Sequence, residues 1–217
     1  MANASNKIII RELGVQEYQP TWDAMQTFTA ERDEDTLDEL WCLEHPPVFT
    51  MGLNAKKEHL LNIDTIPVIN IDRGGQVTYH GPGQLVIYTL IDLARLKIGV
   101  KDLVNIIEQA IIQLLKEENI NAQVKENAPG VYVKGAKIAA LGLRIKKNKS
   151  YHGLSLNIDM DLSPFQQINP CGYAGMEVTQ TTDFKPKLKF SSIKEKLIAK
   201  LITLLGYSSS STFAKIK

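Results

Sequence analysis

The chain has 217 residues, of which 44% are hydrophobic and 23% are charged, an ordinary composition for a globular protein with one large core. Its 25 Lys and Arg residues balance 24 Asp and Glu residues, so the net charge excludes the broad basic surface that nucleic-acid binding requires. Met1 to Lys7 contain no apolar signal-peptide core, and no apolar run approaches the ~18 residues of a membrane span. We therefore expect a cytoplasmic protein with a single domain over 1–217, its core at about 7–206 and a frayed tail at 207–217.

Strand and helix patterns alternate in the first half of the chain. The run of isoleucines within Lys7–Leu13 predicts a strand covered on both faces. Trp22, Met25 and Phe28 recur at helical spacing and predict a helix from about Thr21. Further apolar runs predict four strands, at Leu40–Leu43, Val48–Met51, Val68–Ile71 and Leu85–Leu93.

The second half of the chain predicts a long helix, an antiparallel meander and a last helix. An apolar stripe over Lys101–Asn119 predicts the long helix, with Asp102 near its positive amino end. Ser192 and Glu195 read as a capping box for the last helix, which Gly206 closes. The meander strands are predicted at Val131–Val133, Ile138–Ile145 and Tyr151–Ile158. These elements predict an α/β (α+β) fold with mixed and antiparallel sheets flanked by helices.

The segment Arg73–Gln84, with the sequence RGGQVTYHGPGQ, is the most unusual part of the chain. Glycine is placed where the backbone adopts positive φ or comes close to another group, and this segment combines a Gly-Gly pair with Gly-Pro-Gly. A plain hairpin needs only one such feature. We therefore expect the segment to form the wall of a ligand site.

Two cysteines are too few for a disulfide framework, so each is a buried hydrophobe or a nucleophile. Cys171 lies between Pro170 and Gly172, which suits a thiol presented from a shaped loop. Cys42 alternates within the strand Leu40–Leu43, which favours a small buried side chain.

Four motifs together resemble the octanoyltransferases of lipoate biosynthesis, over roughly Leu40 to Asp183. They are Arg73–Gln84, GAKIA at Gly135–Ala139, HGL at His152–Leu154 and NPCGY at Asn169–Tyr173. The resemblance implies the catalytic-domain fold of biotin and lipoate protein ligases. It also implies transfer of an octanoyl group from the phosphopantetheine of acyl carrier protein to a lysine of a lipoyl domain, through an acyl-cysteine. The implied acceptors are the lipoyl domains of 2-oxoacid dehydrogenase complexes and the glycine cleavage H protein.

The same resemblance assigns catalytic roles to Cys171 and Lys137. Cys171 is the implied nucleophile. Because a free cysteine is only a few per cent thiolate at neutral pH, a nearby cation is needed, and Lys137 is the implied cation and a possible acid/base. Taken alone, Lys137 is better interpreted as a solvated lysine beside a turn, and only the resemblance reverses this interpretation. No cofactor is implied, because activation arrives with the phosphopantetheine thioester.

The resemblance also implies an apolar slot for the octanoyl chain. Ser155, one of its implied residues, stands where many relatives have Ala, and Ala140–Gly142 alone would read as ordinary core strand. The sequence offers two sources of backbone N–H groups that could stabilise the oxyanion, namely the Arg73–His80 segment and the backbone around Gly142, and it does not distinguish them. The implied lining residues are Arg73, Gly74, Gly75, Gln76, Val77, Thr78, Tyr79, His80, Ala140, Leu141, Gly142, Gly153, Leu154 and Ser155.

Three charged or polar positions keep alternative interpretations. Arg73 pairs either with a phosphopantetheine phosphate or with a carboxylate such as Asp72. His80 and His152 either orient polar groups beside the thiolate or are structural. The four histidines have no metal-binding spacing, so no metal site is predicted.

Two other functions remain possible from the sequence. An ATP-dependent lipoate or biotin ligase would share the fold and a glycine-rich loop, although Gly81–Gln84 and Cys171 fit the transferase better. A non-enzymatic module would bind acidic carrier or lipoyl domains through Lys146, Lys147 and Lys149, which otherwise read as a solvated hairpin end.

Overall fold

The computed structural model describes residues 7–126 and 128–215. The helices are α1 (Tyr18–Glu31), α2 (Leu93–Leu96), α3 (Val100–Glu117) and α4 (Phe190–Leu204). The strands are β1 (Lys7–Val15), β2 (Asp38–Glu44), β3 (Val48–Met51), β4 (Val68–Asn70), β5 (Val77–His80), β6 (Gln84–Leu90), β7 (Gln123–Val124), β8 (Val131–Val133), β9 (Ala136–Lys146), β10 (Lys149–Asn157) and β11 (Ser209–Phe213). Short 3-10 turns include Ser163–Gln167 and Pro170–Gly172.

The strands form two sheets of mixed direction. The large sheet has the order β11-β1-β2-β6-β10-β9-β8-β7, and the small sheet has the order β4-β3-β5. β1 pairs in parallel with both β2 and β11, whereas β8, β9 and β10 form the predicted antiparallel meander. The predicted fold class, mixed sheets flanked by helices, is confirmed.

Alternation along the central strands places helices on both faces of the large sheet. Leu85 and Ile87 on β6 enter the main core with α3 and α4, while Val86 and Tyr88 face a second cluster that contains Met25 of α1. Side chains of a strand alternate between faces, so a strand covered on both sides is apolar throughout. The active-site candidates therefore sit on a sheet whose backbone is fixed by packing from both sides.

Several helix and strand boundaries differ from the prediction, and three of the differences have a local cause. α1 begins at Tyr18, because Pro20 falls in its first turn, where no intrahelical N–H bond is lost. The predicted strand Leu85–Leu93 ends at Leu90, because the Asp92 carboxylate accepts a hydrogen bond from Arg95 N and caps α2. The predicted capping box at Ser192 and Glu195 is wrong: α4 begins at Phe190, which packs with Leu188 against the main core.

The expected frayed tail is wrong for Ser209–Phe213, which forms strand β11 beside β1. A strand pairs through its backbone, so a serine-rich segment can extend a sheet without apolar side chains. Tyr207, just before β11, is buried and donates its hydroxyl proton to Asp38 Oδ2 at 2.6 Å. The last two residues of the predicted tail, 216–217, lie outside the described residues.

None of the described helices is long and apolar enough to cross a membrane.

Asp38 is a fully buried carboxylate that ties together three parts of the fold. It bonds the Arg32 guanidinium, the Tyr207 hydroxyl and the backbone N–H of Asp92. The Arg32 and Asp38 side chains are both 0% exposed. Removing one member of such a pair leaves an uncompensated charge in the core, which is strongly destabilising.

We expect Asp38→Ala to lower the free energy of unfolding by about 3–5 kcal/mol, measured by urea denaturation. Glu58→Ala is the matched control, because Glu58 pairs with Lys56 at 3.4 Å on the surface and both side chains are about two-thirds exposed. Its transition should superimpose on that of the parent. Similar midpoints for the two variants would contradict the importance of the Asp38 network.

Candidate active site

A cavity of about 480 Å³ lies between the large sheet, strand β5 and the loop that carries Cys171. Its volume is within the range of small-molecule sites. All but one of the predicted lining residues border it. They are Arg73, Gly74, Gly75, Gln76, Val77, Thr78, His80, Ala140, Leu141, Gly142, Gly153, Leu154 and Ser155, and Lys137 and Cys171 border the same space.

Tyr79 is the exception, and its assignment to the pocket was wrong. Its ring lies 5.5 Å from the ring of Phe49 and 5.4 Å from that of Phe165, in a cluster behind β5. Thr78 and His80 point to one face of β5 and Tyr79 points to the other, because successive side chains of a strand alternate. Val77 shares the face of Tyr79 and packs in the same cluster, although it also borders the cavity. Tyr79 therefore supports the small sheet from behind.

The two glycines that face each other across β9 and β10 make room in the cavity wall. Gly142 pairs with Gly153 in the strand register. A Cβ atom on Gly142 would lie 2.8 Å from Cδ of Arg73, and one on Gly153 would lie 2.1 Å from the Ile87 carbonyl oxygen. The missing side chain of Gly142 therefore leaves space for the Arg73 stem, and that of Gly153 lets β10 lie close to the Ile87 peptide of β6.

Cys171 sits at the centre of a short turn with an unusual backbone. Its φ is 55° and its ψ is 17°, a left-handed conformation that L residues rarely adopt. The turn is closed by a hydrogen bond from Gly172 N to Asn169 O at 2.9 Å. A Cβ atom on Gly172 would lie 2.9 Å from Cγ of Gln76, so this position needs glycine for space as well as for its own positive φ. The turn presents a partly exposed thiol to the cavity.

Lys137 reaches that thiol from β9. Both backbone groups of Lys137 are bound by one segment, because Lys137 N donates to Glu177 O at 2.8 Å and Thr179 N donates to Lys137 O at 3.0 Å. Its Nζ lies 3.0 Å from Cys171 Sγ and 3.2 Å from Pro129 O. The residue is only 4% exposed, which excludes the solvated-lysine interpretation.

Two opposing influences act on the Lys137 ammonium. Burial is the largest single influence, and it lowers the pKa of Lys137. The charge and hydrogen bond of Cys171, with a smaller effect of Tyr132, together outweigh burial, so the pKa of Lys137 is raised. The charged state of Lys137 in its buried position thus depends on the sulfur beside it.

Cys42 has the opposite environment. It lies on β2 with its side chain in the main core, and burial raises the pKa of its thiol to about 12. The prediction of a small buried hydrophobe is confirmed for Cys42.

Arg73 is buried beside the cavity without a carboxylate. Within the described residues it forms no ion pair: it donates instead to the carbonyl and hydroxyl oxygens of Thr50, both at 2.9 Å, and to Gly74 O at 3.0 Å. The alternative in which Arg73 pairs with Asp72 is therefore wrong. Asp72 accepts hydrogen bonds from Trp22 and Tyr151 instead.

The His80 ring is held in one tautomer by a chain of amides. Asn157 Nδ2 donates to Thr179 O, so Asn157 Oδ1 accepts from Gln84 Nε2 at 2.9 Å, and Gln84 Oε1 lies 2.7 Å from His80 Nδ1. An amide oxygen can only accept, so His80 Nδ1 carries the proton and Nε2 is an acceptor. Burial is the main influence on the pKa of His80 and, with smaller electrostatic effects of His45 and Arg73, lowers it to about 3.

His152 combines backbone strain with an unsatisfied nitrogen. Its φ is 60° within strand β10, and its Nε2 lies 3.2 Å from Asp72 Oδ1. Its Nδ1 is buried without a hydrogen-bond partner among the described residues. Burial is the main influence on the pKa of His152 and lowers it.

Some cavity residues were not predicted from the sequence. Tyr18 at the start of α1 and Tyr88 on β6 close the inner end, and Val100, Val104 and Tyr173 lie at the outer end. Tyr173 is the last residue of the NPCGY motif, whereas the other four lie on α1, β6 and α3 and belong to none of the four motifs. The buried hydroxyls of Tyr18 and Tyr88 carry no local sequence signal, because a tyrosine at these positions also fits an ordinary core.

One candidate for oxyanion stabilisation is already engaged. Gly74 N donates to Leu143 O at 3.0 Å and is unavailable to a ligand. Within residues 7–126 and 128–215, no group of three His, Cys, Asp or Glu side chains is arranged to hold a metal ion.

Comparison with known proteins identifies the family. A model of the lipoyl protein ligase A/B catalytic domain matches residues 17–202. An octanoyltransferase from Marinobacter nauticus is 57% identical over 201 residues, which cover 93% of this chain and 95% of that protein. The chain belongs to the octanoyltransferase family. It is therefore an acyltransferase, as the resemblance of the four motifs implied.

Solved structures of lower identity share the fold of this octanoyltransferase family member. A bipartite lipoate protein ligase from Thermoplasma acidophilum superimposes with a TM-score of 0.74 at 14% identity, covering 95% of this chain and 88% of that chain. The biotin protein ligase of Aquifex aeolicus gives a TM-score of 0.55 at 11% identity, with coverages of 92% and 68%. The predicted likeness to the ligase catalytic domain is confirmed at the level of fold.

Neutral buried histidines predict how the stability of this acyltransferase depends on pH. Burial lowers the pKa of His45 to about 4 and that of His80 to about 3, whereas an unfolded histidine titrates near 6.5. Between pH 6.5 and 4 the unfolded chain therefore binds protons that the folded rings do not. The free energy of unfolding should fall with decreasing pH by roughly 1.4 kcal/mol per pH unit for each ring.

Urea denaturation between pH 7.5 and 4.5 measures this slope. His45→Gln should flatten it, because one of the two rings is then absent from both states. A slope that is identical in the parent and in His45→Gln would contradict the assignment of a neutral His45.

Proposed function

We propose that the protein transfers an octanoyl group from acyl carrier protein to a lysine of a lipoyl domain, through a thioester on Cys171. The observation that carries the proposal is the 3.0 Å approach of Lys137 Nζ to Cys171 Sγ at the edge of a glycine-lined cavity. Membership of the octanoyltransferase family supports the choice of acyl group.

In the first step the Cys171 sulfur attacks the carbonyl carbon of the octanoyl-phosphopantetheine thioester. A new carbon–sulfur bond forms to Cys171, the bond to the pantetheine sulfur breaks, and the departing thiolate takes up a proton. The Lys137 ammonium stabilises the negative charge on the attacking sulfur and is placed to return a proton to the departing one. Exchange of one thioester for another is nearly neutral, so no nucleotide cofactor is needed.

In the second step the amine of the acceptor lysine attacks the Cys171 thioester, and the amide forms as Cys171 leaves. The attacking amine must lose a proton. Acylation removes the negative charge of Cys171, which is the main influence that raises the pKa of Lys137, while burial continues to lower it. Lys137 thus becomes a better base in the acyl-enzyme, where a base is required.

The octanoyl chain would lie against the apolar part of the cavity wall. Ala140 and Leu141 provide small or branched apolar surface there. Burial of each methylene contributes about 0.8 kcal/mol, so the slot alone can select for chain length. The acceptors would be lipoyl domains of 2-oxoacid dehydrogenase complexes and the glycine cleavage H protein, and the reaction would take place in the cytoplasm.

Incubation with octanoyl-acyl carrier protein in the absence of ATP should add one octanoyl group to the protein. Intact mass spectrometry should show the adduct, hydroxylamine should remove it, and Cys171→Ser should not form it under the same conditions. The Cys42→Ser variant should be acylated like the parent, because Cys42 is buried in the main core. An adduct that forms only with ATP and free octanoate would instead indicate a ligase.

Replacement of Lys137 by Met keeps the buried stem and removes the charge. We expect acylation of Cys171 to slow by about 10²–10⁴-fold, the usual contribution of a positioned acid/base group, in rapid-quench measurements. Lys125→Met is the matched control: the Lys125 ammonium also lies over the Tyr132 ring, at 4.4 Å, but hydrogen-bonds to Gly135 O rather than to the sulfur. Equal rates for the two variants would remove Lys137 from the mechanism.

A further inference from the structure

The peptide group between Pro129 and Gly130 connects Lys137 to a carboxylate on α3. Its carbonyl oxygen accepts a hydrogen bond from Lys137 Nζ at 3.2 Å, and its N–H donates to Glu108 Oε1 at 2.9 Å. Both contacts belong to one planar unit, so fixing the N–H side also fixes the direction of the carbonyl. A continuous path therefore runs from Glu108 through this peptide and Lys137 to Cys171 Sγ.

Glu108 is an unusual residue for its place in the helix. It is 7% exposed and lies among the apolar side chains of the α3 stripe, between Ile107 and Ala110. Within the described parts of the chain it forms no ion pair with a Lys, Arg or His side chain. Burying a carboxylate with so little compensation is costly.

Gly130 makes the close approach possible. Its φ is +131°, and a Cβ atom there would lie 2.7 Å from Ala139 O and 3.2 Å from Cε of Lys137. A side chain would therefore push the peptide away from the lysine stem that it contacts. Glycine at this position permits the peptide to lie directly against Lys137.

We propose that Glu108 is a positioning residue for the Lys137–Cys171 pair. Its carboxylate holds and polarises the Pro129–Gly130 peptide, whose carbonyl then accepts one Lys137 proton and directs another toward Sγ. An ammonium has three protons in tetrahedral directions, so anchoring one of them restricts where the others point. A misplacement of about 1 Å at a reacting group can cost ~10²-fold in rate, which is the scale on which a fixed carbonyl matters.

Among residues 7–126 and 128–215, few charged or titratable groups surround Lys137 and its Pro129–Gly130 contact. Cys171 contacts the ammonium directly, the Tyr132 ring lies 5.2 Å from it, and Lys125 approaches the same ring. Tyr173, from the loop that carries Cys171, also acts electrostatically on Tyr132. Of these groups Glu108 alone lies on α3, and it acts only through the peptide.

The test measures the reactivity of the Cys171 sulfur as a function of pH, without any acyl substrate. Rates of Cys171 alkylation by iodoacetamide are recorded from pH 5 to 10, with the modified residue assigned by peptide mass spectrometry. We expect Glu108→Ala to raise the midpoint of this profile by about one pH unit and to slow octanoylation by about 10- to 100-fold, because the ammonium is then poorly directed. Glu108→Gln, whose amide oxygen can accept from Gly130 N, should shift the midpoint much less.

Glu118→Ala is the matched control. Glu118 is an equally buried carboxylate at the end of α3 that pairs with Lys185 and Lys196 on the side of α4. Its removal should lower the unfolding midpoint but leave the alkylation profile unchanged. If Glu108→Ala does not fold, Glu108→Asp replaces it, because the shorter side chain keeps the charge but cannot make the same contact.

A folded Glu108→Ala or Glu108→Asp variant with the parent's alkylation profile would overturn the proposal, as would a Glu108→Gln shift as large as that of Glu108→Ala. The inference rests on the proposed pairing of Cys171 with Lys137 but not on the identity of the acyl group. A shifted alkylation midpoint in a protein that accepts no octanoyl group would therefore reject the proposed substrate and retain the role of Glu108.

Discussion

The contact between Lys137 Nζ and Cys171 Sγ is the interaction around which the site is organised. A buried ammonium without a negative partner is unfavourable, and a thiolate without a nearby cation is equally so. The charge and hydrogen bond of Cys171 raise the pKa of the Lys137 ammonium against the effect of its burial. The surrounding structure brings these two side chains, from distant segments of the chain, within 3.0 Å.

The two partners are held in different ways. Lys137 belongs to β9, whose backbone bonds the Glu177–Thr179 segment on one side of the residue and β8 on the other, so its position follows from the packed sheet. Cys171 belongs to a short turn and adopts a left-handed backbone conformation that costs about 1–3 kcal/mol for a residue other than glycine. Such strain persists only where the surroundings fix it, and it is concentrated at functional sites.

Local patterns in the sequence sufficed for features that depend on neighbouring residues. The strands Val48–Met51 and Val131–Val133 have the predicted boundaries, and the alternation around Cys42 correctly separated it from Cys171. Features that depend on tertiary contacts were missed. Tyr79 lies within the most distinctive motif but faces away from the cavity, and Glu108 reads as one polar residue of an amphipathic helix until Gly130 is placed beside it. The pairing of β11 with β1 likewise needs knowledge of a free sheet edge.

The distribution of charge around the cavity favours negative charge at the Cys171 sulfur. Arg73 and Lys137 are buried cations that border the cavity, and neither has a carboxylate partner in the part of the chain that the structure describes. Burial lowers the pKa of both His80 and His152, and the positive charge of Arg73 lowers them further, so these rings remain neutral. The carboxylates of Asp72 and Glu108 do not border the cavity, and they accept hydrogen bonds from Trp22 and from the Gly130 N–H, respectively. In the proposed mechanism, negative charge that develops on the sulfur or on an attacked carbonyl would meet fixed cations, and such an arrangement would stabilise the transition state of acyl transfer without reorganisation.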